Sequence, residues 1–258
     1  MVWETYWEGV DWRIPEIIQL PFDEVVKQYL GEYVENLTHG DRQPDLFRYL
    51  FPALMVQWYE TLMADKEFRF PSPDFYEGLV RAKPIEYHAT EHEQQAIYTF
   101  FVDAMLDRLE MERLHGKSPL ETLRSTQFWL GRFNAIGSCM PCIPELWEAW
   151  WQFREPGHAV AALELASCLM YFKDENPIFK PHEPWLGAAE SDHPWMTENL
   201  ESLERTLTVP FLRERLKAAS AKLADQPEGS LAENLITDFD SRADIIAANL
   251  EDNFPLRQ

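Results

Sequence analysis

Apolar residues recur along this chain three and four positions apart, the period of a helix with one buried face, while the two-residue alternation of a half-buried strand hardly appears. That pattern argues against sheet architectures. It predicts an all-α fold, an irregular multi-helix bundle or a short α-solenoid of about nine helices. The 258 residues suffice for one helical domain spanning 1–258. The proline-rich stretch 176–194, with Pro177, Pro181, Pro184 and Pro194, is the expected seam if there are two lobes.

Local signals place the helices. A segment at 22–37 puts Val25, Val26, Tyr29, Leu30 and Tyr33 on one face. A second helix is expected over 44–64, burying Leu46, Tyr49, Leu50, Leu54, Trp58 and Leu62, with a kink or split at Pro52. Pro71, Pro73 and Pro84 make 68–84 read as an irregular connection. Thr90 and Glu93 stand at capping-box spacing ahead of the stripe Ile97, Phe100, Phe101, Ala104, Met105 and Leu109, which Gly116 closes. Ser118-Pro119 supplies an N-cap and a first-turn proline for a helix to about 133. Further helices are expected over 145–153, 158–172, 195–207, 210–223 and 230–250.

Charge bounds the function. Forty-four acids against 23 lysines and arginines give −21, a field that phosphate-bearing surfaces repel, so neither nucleic acid nor an anionic membrane is an expected partner. Residues 225–252 are the most one-sided, with Asp225, Glu228, Glu233, Asp238, Asp240, Asp244, Glu251 and Asp252 against Arg242. No apolar run is long enough to cross a bilayer. The first twelve residues carry Glu4, Glu8 and Asp11 where a leader would have a basic and then an apolar stretch, and three cysteines make no disulfide framework. A cytoplasmic location is expected.

Four constellations could carry chemistry. His88-Ala89-Thr90-Glu91-His92 fits H-x-x-E-H, in which two imidazoles on one helix face hold zinc and the glutamate activates water. Thr90 is the better helix start, which leaves His88 outside the helix and removes the alignment; Glu164 could offer a third ligand, with nothing local to recommend it. Glu112-x-x-His115 and Glu155-x-x-His158 have the E-x-x-H spacing of di-iron bundles, yet one pair ends a helix and the other straddles Pro156-Gly157. Cys139-Met140-Pro141-Cys142 precedes a helix that could lower a thiol pKa, but the βαβ setting of a redox site is missing. Asp103, Asp107 and Glu110 face away from the apolar stripe and read as a solvated face.

The aromatic content raises a separate question. Trp147, Trp150 and Trp151 read as core, whereas Trp3, Tyr6, Trp7 and Trp12 must cover a groove on this chain or on a partner. With no phosphate loop or nucleophile elbow, no catalytic residue, metal or cofactor is assigned. The expected function is a non-catalytic acidic protein that binds a basic protein partner, as an immunity or antitoxin-type inhibitor would, through the eight acids of 225–252. The alternatives are a metal-dependent helical enzyme using His88, Glu91 and His92 or the E-x-x-H pairs, and a helical adaptor or scaffold. Partner identity and oligomeric state are not encoded in these patterns.

Overall fold

The computed structural model describes residues 44–64, 73–171 and 195–253, together with Pro21, Glu24 and Tyr33. Every regular element among the described residues is a helix, and eleven are delimited. They are α1 (Pro44–Met63), α2 (Pro73–Ala82), α3 (Pro84–His88), α4 (Glu91–Glu110), α5 (Pro119–Cys139), α6 (Ile143–Trp150), α7 (Pro156–Tyr171), α8 (Thr197–Thr206), α9 (Val209–Lys222), α10 (Gly229–Ser241) and α11 (Ala243–Asn253). The fold is all-α, as the periodicity predicts. Of the entry segment, Glu24 and Tyr33 are helical and Tyr33 is buried. The rest of that segment, the N-terminal aromatics Trp3 to Trp12 and the 176–194 seam lie outside the described residues.

Two compact units divide within α4, at Ile97 and Tyr98. In the first, α3 packs on α1 and α2. Leu50, Leu54, Trp58 and Leu62 form the buried stripe of α1, Tyr49 is only half-buried, the Leu46 side chain lies outside the described residues, and the helix runs through Pro52 without splitting. The stretch expected to be irregular contains a helix instead, α2. Pro73 and Pro84 each open a helix, where the fixed φ is already helical and the missing N–H would have no partner anyway. Thr90 caps α4 as predicted: its backbone N–H donates to Glu93 Oε2 at 2.7 Å, and its Oγ1 accepts from the Glu93 N–H at 3.3 Å.

The second unit centres on α7, which contacts α5, α9, α10 and α11. Thirteen of its sixteen residues are buried, so it is apolar all round rather than striped. Leu163, Leu165 and Leu169 each contribute about 1.5–3 kcal/mol by leaving water. Gly157 lets the start of α7 lie directly against α4, because a Cβ there would overlap the Glu110 carbonyl. Trp129, Phe133, Trp147, Trp150 and Trp151 are buried together; Trp150 stacks on Trp151 at 4.9 Å and meets Trp129 edge-on at 5.5 Å.

Helix ends in this unit follow their caps. Ser118 and Glu121 form a full capping box, and the helix it starts continues beyond 133 to Cys139. Asn199, buried at the start of α8, donates to the carbonyls of Gly137 and Met140 at 2.8 and 2.7 Å and so fixes the α5–α6 turn. The single helix expected over 230–250 is two, broken at Arg242. The Arg242 guanidinium reaches back to the C-terminus of α7, donating to the Met170 carbonyl at 3.3 Å and lying 4.4 Å from the centre of the Tyr171 ring. The run breaks at the residue that makes those contacts with a distant helix.

Candidate functional site

Two groups of carboxylates stand out, one inside the second unit and one on its surface. The internal group begins where α4 ends. Glu112 lies two residues past the last helical residue and is fully buried, and Arg108, one turn earlier, is 3% exposed. Taking each ion out of water costs several kcal/mol, so the pair needs close to complete hydrogen bonding to persist. It has that. Glu112 Oε1 accepts from the Arg108 guanidinium and from Ser125 Oγ at 2.8 Å, and Oε2 accepts from Lys117 Nζ at 3.1 Å. Arg108 also donates to Ser125 Oγ at 3.0 Å.

Glu164, from the middle of α7, is a second buried acid and is 2% exposed. Its Oε2 accepts from Trp129 Nε1 at 3.3 Å, but no donor reaches its Oε1, so ionisation would leave a buried charge half-satisfied. Burial first, then the Glu112 charge and the hydrogen bond to it, push Glu164 well above the usual carboxylate range. Burial would raise Glu112 as well, but Arg108, the Glu164 hydrogen bond, Lys117 and Ser125 together hold it below that range. The result is two buried acids shifted in opposite directions, with both cations bonded to Glu112.

A third internal acid fixes the same connection from the other side. Glu228, just before α10, was expected among surface partner-binding residues, but it is 3% exposed. Its Oε1 accepts the backbone N–H groups of Leu114 and His115, each at 3.2 Å. Those amides lie beyond α4 and have no helical acceptor, so the carboxylate turns inward to supply one. Glu228 therefore belongs to the interior.

The other expected acids lie on the surface. Asp225, Glu233, Asp238, Asp240, Asp244 and Glu251 are exposed, and Asp252 belongs to α11 with its side chain outside the described residues. Asp238 accepts the Tyr171 hydroxyl at 2.7 Å, and Asp240 pairs with Arg213 of α9. Asp103, Asp107 and Glu110 are exposed on α4 as well.

The structure separates the histidine constellation. His88 ends α3, Thr90 caps α4, and Glu91 and His92 begin α4, so the two histidines do not share a helix. The His88 ring lies 5.6 Å from that of Phe47. Among the described residues no three His, Cys, Asp or Glu side chains converge as metal ligands. Glu112 is paired with Arg108 and Lys117. His158 is buried in α7, within 3.0 Å of the Leu106 carbonyl through Nε2 and without a partner at Nδ1. Burial lowers its pKa, which keeps the ring neutral.

The cysteine pair spans the α5–α6 turn, Cys139 ending one helix and Cys142 preceding the next. Burial pushes Cys142 up to about 12 and Cys139 well above its ordinary value, so the helix N-terminus does not yield an activated thiolate. Both are free thiols. Sequence reasoning weighed Glu164 only as a third zinc ligand, although a clearer signal was present: one acid in the middle of the apolar run Val160-Ala161-Ala162-Leu163-Glu164-Leu165-Ala166. No protein-family model, curated protein or solved structure matches this chain.

Proposed function

We propose that this protein is a non-catalytic binder of a basic protein, docking it on the acidic face of α10 and α11. The observation behind this reading is the withdrawal of Arg242. It is the one base among the acids of 225–252, and its head group is spent on the Met170 carbonyl and the Tyr171 ring. Glu233, Asp238, Asp244 and Glu251 are thereby left exposed without the cation the sequence sets among them. Arg213 offsets Asp240 at the rim, through a bond between half-exposed groups that contributes little.

Such a field accelerates encounter with a cationic surface and rejects anionic ones. Inhibition of a basic toxin by an immunity-type protein is one setting that needs this. We read the second unit as an irregular bundle rather than a solenoid, since α7 contacts four other helices. A rigid bundle presents a fixed face, which suits a binder. The test is a pull-down from native extract at low and high salt, using the wild-type chain and a variant carrying Asp238→Asn, Asp240→Asn and Asp244→Asn. A basic protein held by the wild type at low salt, released at high salt and lost by the variant is the expected result. Capture of no basic protein, or equal capture by the variant, would overturn the reading.

A further inference from the structure

A buried histidine joins α4 to α7 through a bond that leaves no place for a second proton, whether or not the acidic face binds anything. Gly157 brings the start of α7 directly against the end of α4, since a Cβ there would overlap the Glu110 carbonyl. His158, the next residue, is 4% exposed and lies in the first turn of α7. Its Nε2 stands 3.0 Å from the Leu106 carbonyl of α4. A carbonyl oxygen only accepts, so Nε2 carries the proton and donates it. Nδ1 is then a bare acceptor, buried, and no donor reaches it. The Trp150 indole of α6 donates to the His158 carbonyl at 2.9 Å and holds the same turn from another side.

A proton added to this ring is badly placed. It would turn Nδ1 into a buried donor without an acceptor, and it would put a cation at the positive end of the α7 peptide dipoles. At the surface the balance is reversed. Glu110 and Glu155 are both exposed and close enough to act on the ring, with Arg154 opposing them. A charged imidazole is better served in water beside those carboxylates than between the helices. We propose that His158 is an acid-released pin: the neutral ring fastens the first turn of α7 to α4, and on taking up a proton at Nδ1 it leaves the interior, giving up its bond to Leu106 and freeing that turn from α4.

The charges around the ring have separate origins. Glu110 belongs to α4, and Glu155 and Arg154 to the connection ahead of α7. Also on α4, Arg108 is committed to Glu112 and Ser125. From α9, Lys222 and Arg215 reach the same connection but bond to the carbonyls of Arg154 and Trp151. Trp150 of α6 is neutral; Glu164, on α7 itself, accepts from Trp129 of α5; and Arg242, between α10 and α11, meets α7 at its far end. Burial outweighs the Leu106 bond and the two carboxylates, and it holds the folded pKa of His158 below the ordinary 6.5. The stability the pin confers is therefore complete above 6.5 and is lost as pH falls through the folded value.

Nitrogen NMR of the imidazole rings tests the fastened state. At about pH 8 the His158 ring should be the Nε2–H tautomer, and on acidification it should titrate below 6.5. An Nδ1–H tautomer, or a midpoint at or above 6.5, would overturn the proposal. Hydrogen exchange between about pH 8 and about pH 5, corrected for intrinsic rates, tests the release. The amides of Val160, Ala161 and Ala162 and the Trp150 indole should lose protection below 6.5, by as much as about tenfold per pH unit. Those of Cys168 and Leu169, at the far end of α7, should keep theirs. In His158→Gln, whose side-chain amide can donate to Leu106 but takes up no proton, the profile should be level over the same range. A level profile in the wild type, an unchanged slope in His158→Gln, or loss of protection along the whole of α7 in step would each overturn the pin. The tautomer and the wild-type profile decide the matter even if the variant does not fold.

Discussion

The acids of 112, 164 and 228 and those of α10 and α11 are the same two residue types in opposite circumstances. The first three are at most 3% exposed and have donors arranged around them. The others face water, and the exposed pair Arg213–Asp240 is of the kind that contributes about 0–1 kcal/mol. A count of forty-four acids merges these populations. Only the surface group has the reach to steer a partner. The interior group instead shapes the chain, because a buried carboxylate with the wrong partners costs more than most single contacts return.

Substitutions can break that contrast, beginning with the most damaging. Arg108→Met keeps the bulk of the side chain but leaves Glu112 buried beside one half-buried lysine. It should lower the unfolding free energy by about 3–5 kcal/mol, read as a shift in the urea midpoint. Next is Glu228→Ala, which removes the acceptor of two backbone N–H groups and should cost about 1–3 kcal/mol in the same titration. At the surface, Asp240→Asn gives up one exposed ion pair and Asp244→Asn gives up none that the structure records. Each should change stability by less than about 1 kcal/mol while weakening any salt-sensitive association. If Glu228→Ala proved as mild as Asp244→Asn, the division into interior and surface acids would fail for that residue.

How far the fold could be read in advance depended on the range of the forces involved. Caps are local: the Thr90–Glu93 box and the Ser118 N-cap sit where the sequence put them, though Glu121, which completes the second box, was not read. The prolines misled at 68–84 because the same residue that stops one helix opens the next. The break at Arg242 was not read, and the partners Arg242 meets there, Met170 and Tyr171, lie about seventy residues earlier in sequence. Glu112 and Glu164 are likewise far apart in the chain, and no window of sequence contains both. Glu164 alone left a trace, as an acid where a helix has no polar side to put it on. The exposed acids of 225–252 needed no long-range knowledge, apart from Glu228, whose inward turn follows from backbone groups at 114 and 115.

The tryptophan cluster has an optical consequence. Trp147, Trp150 and Trp151 have ring centres 4.9 to 5.5 Å apart, with Trp129 at 5.5 Å from Trp150, and their planes run from near-parallel to near-perpendicular. Indoles so close and so variously tilted do not absorb independently. Their coupled transitions add a couplet to the circular dichroism of the helices, so ellipticity at one wavelength misstates this protein's helix content. The Trp129–Trp150 part of that couplet is a native-state signature that needs no label, since it disappears once α5 and α6 part, even while both remain helical.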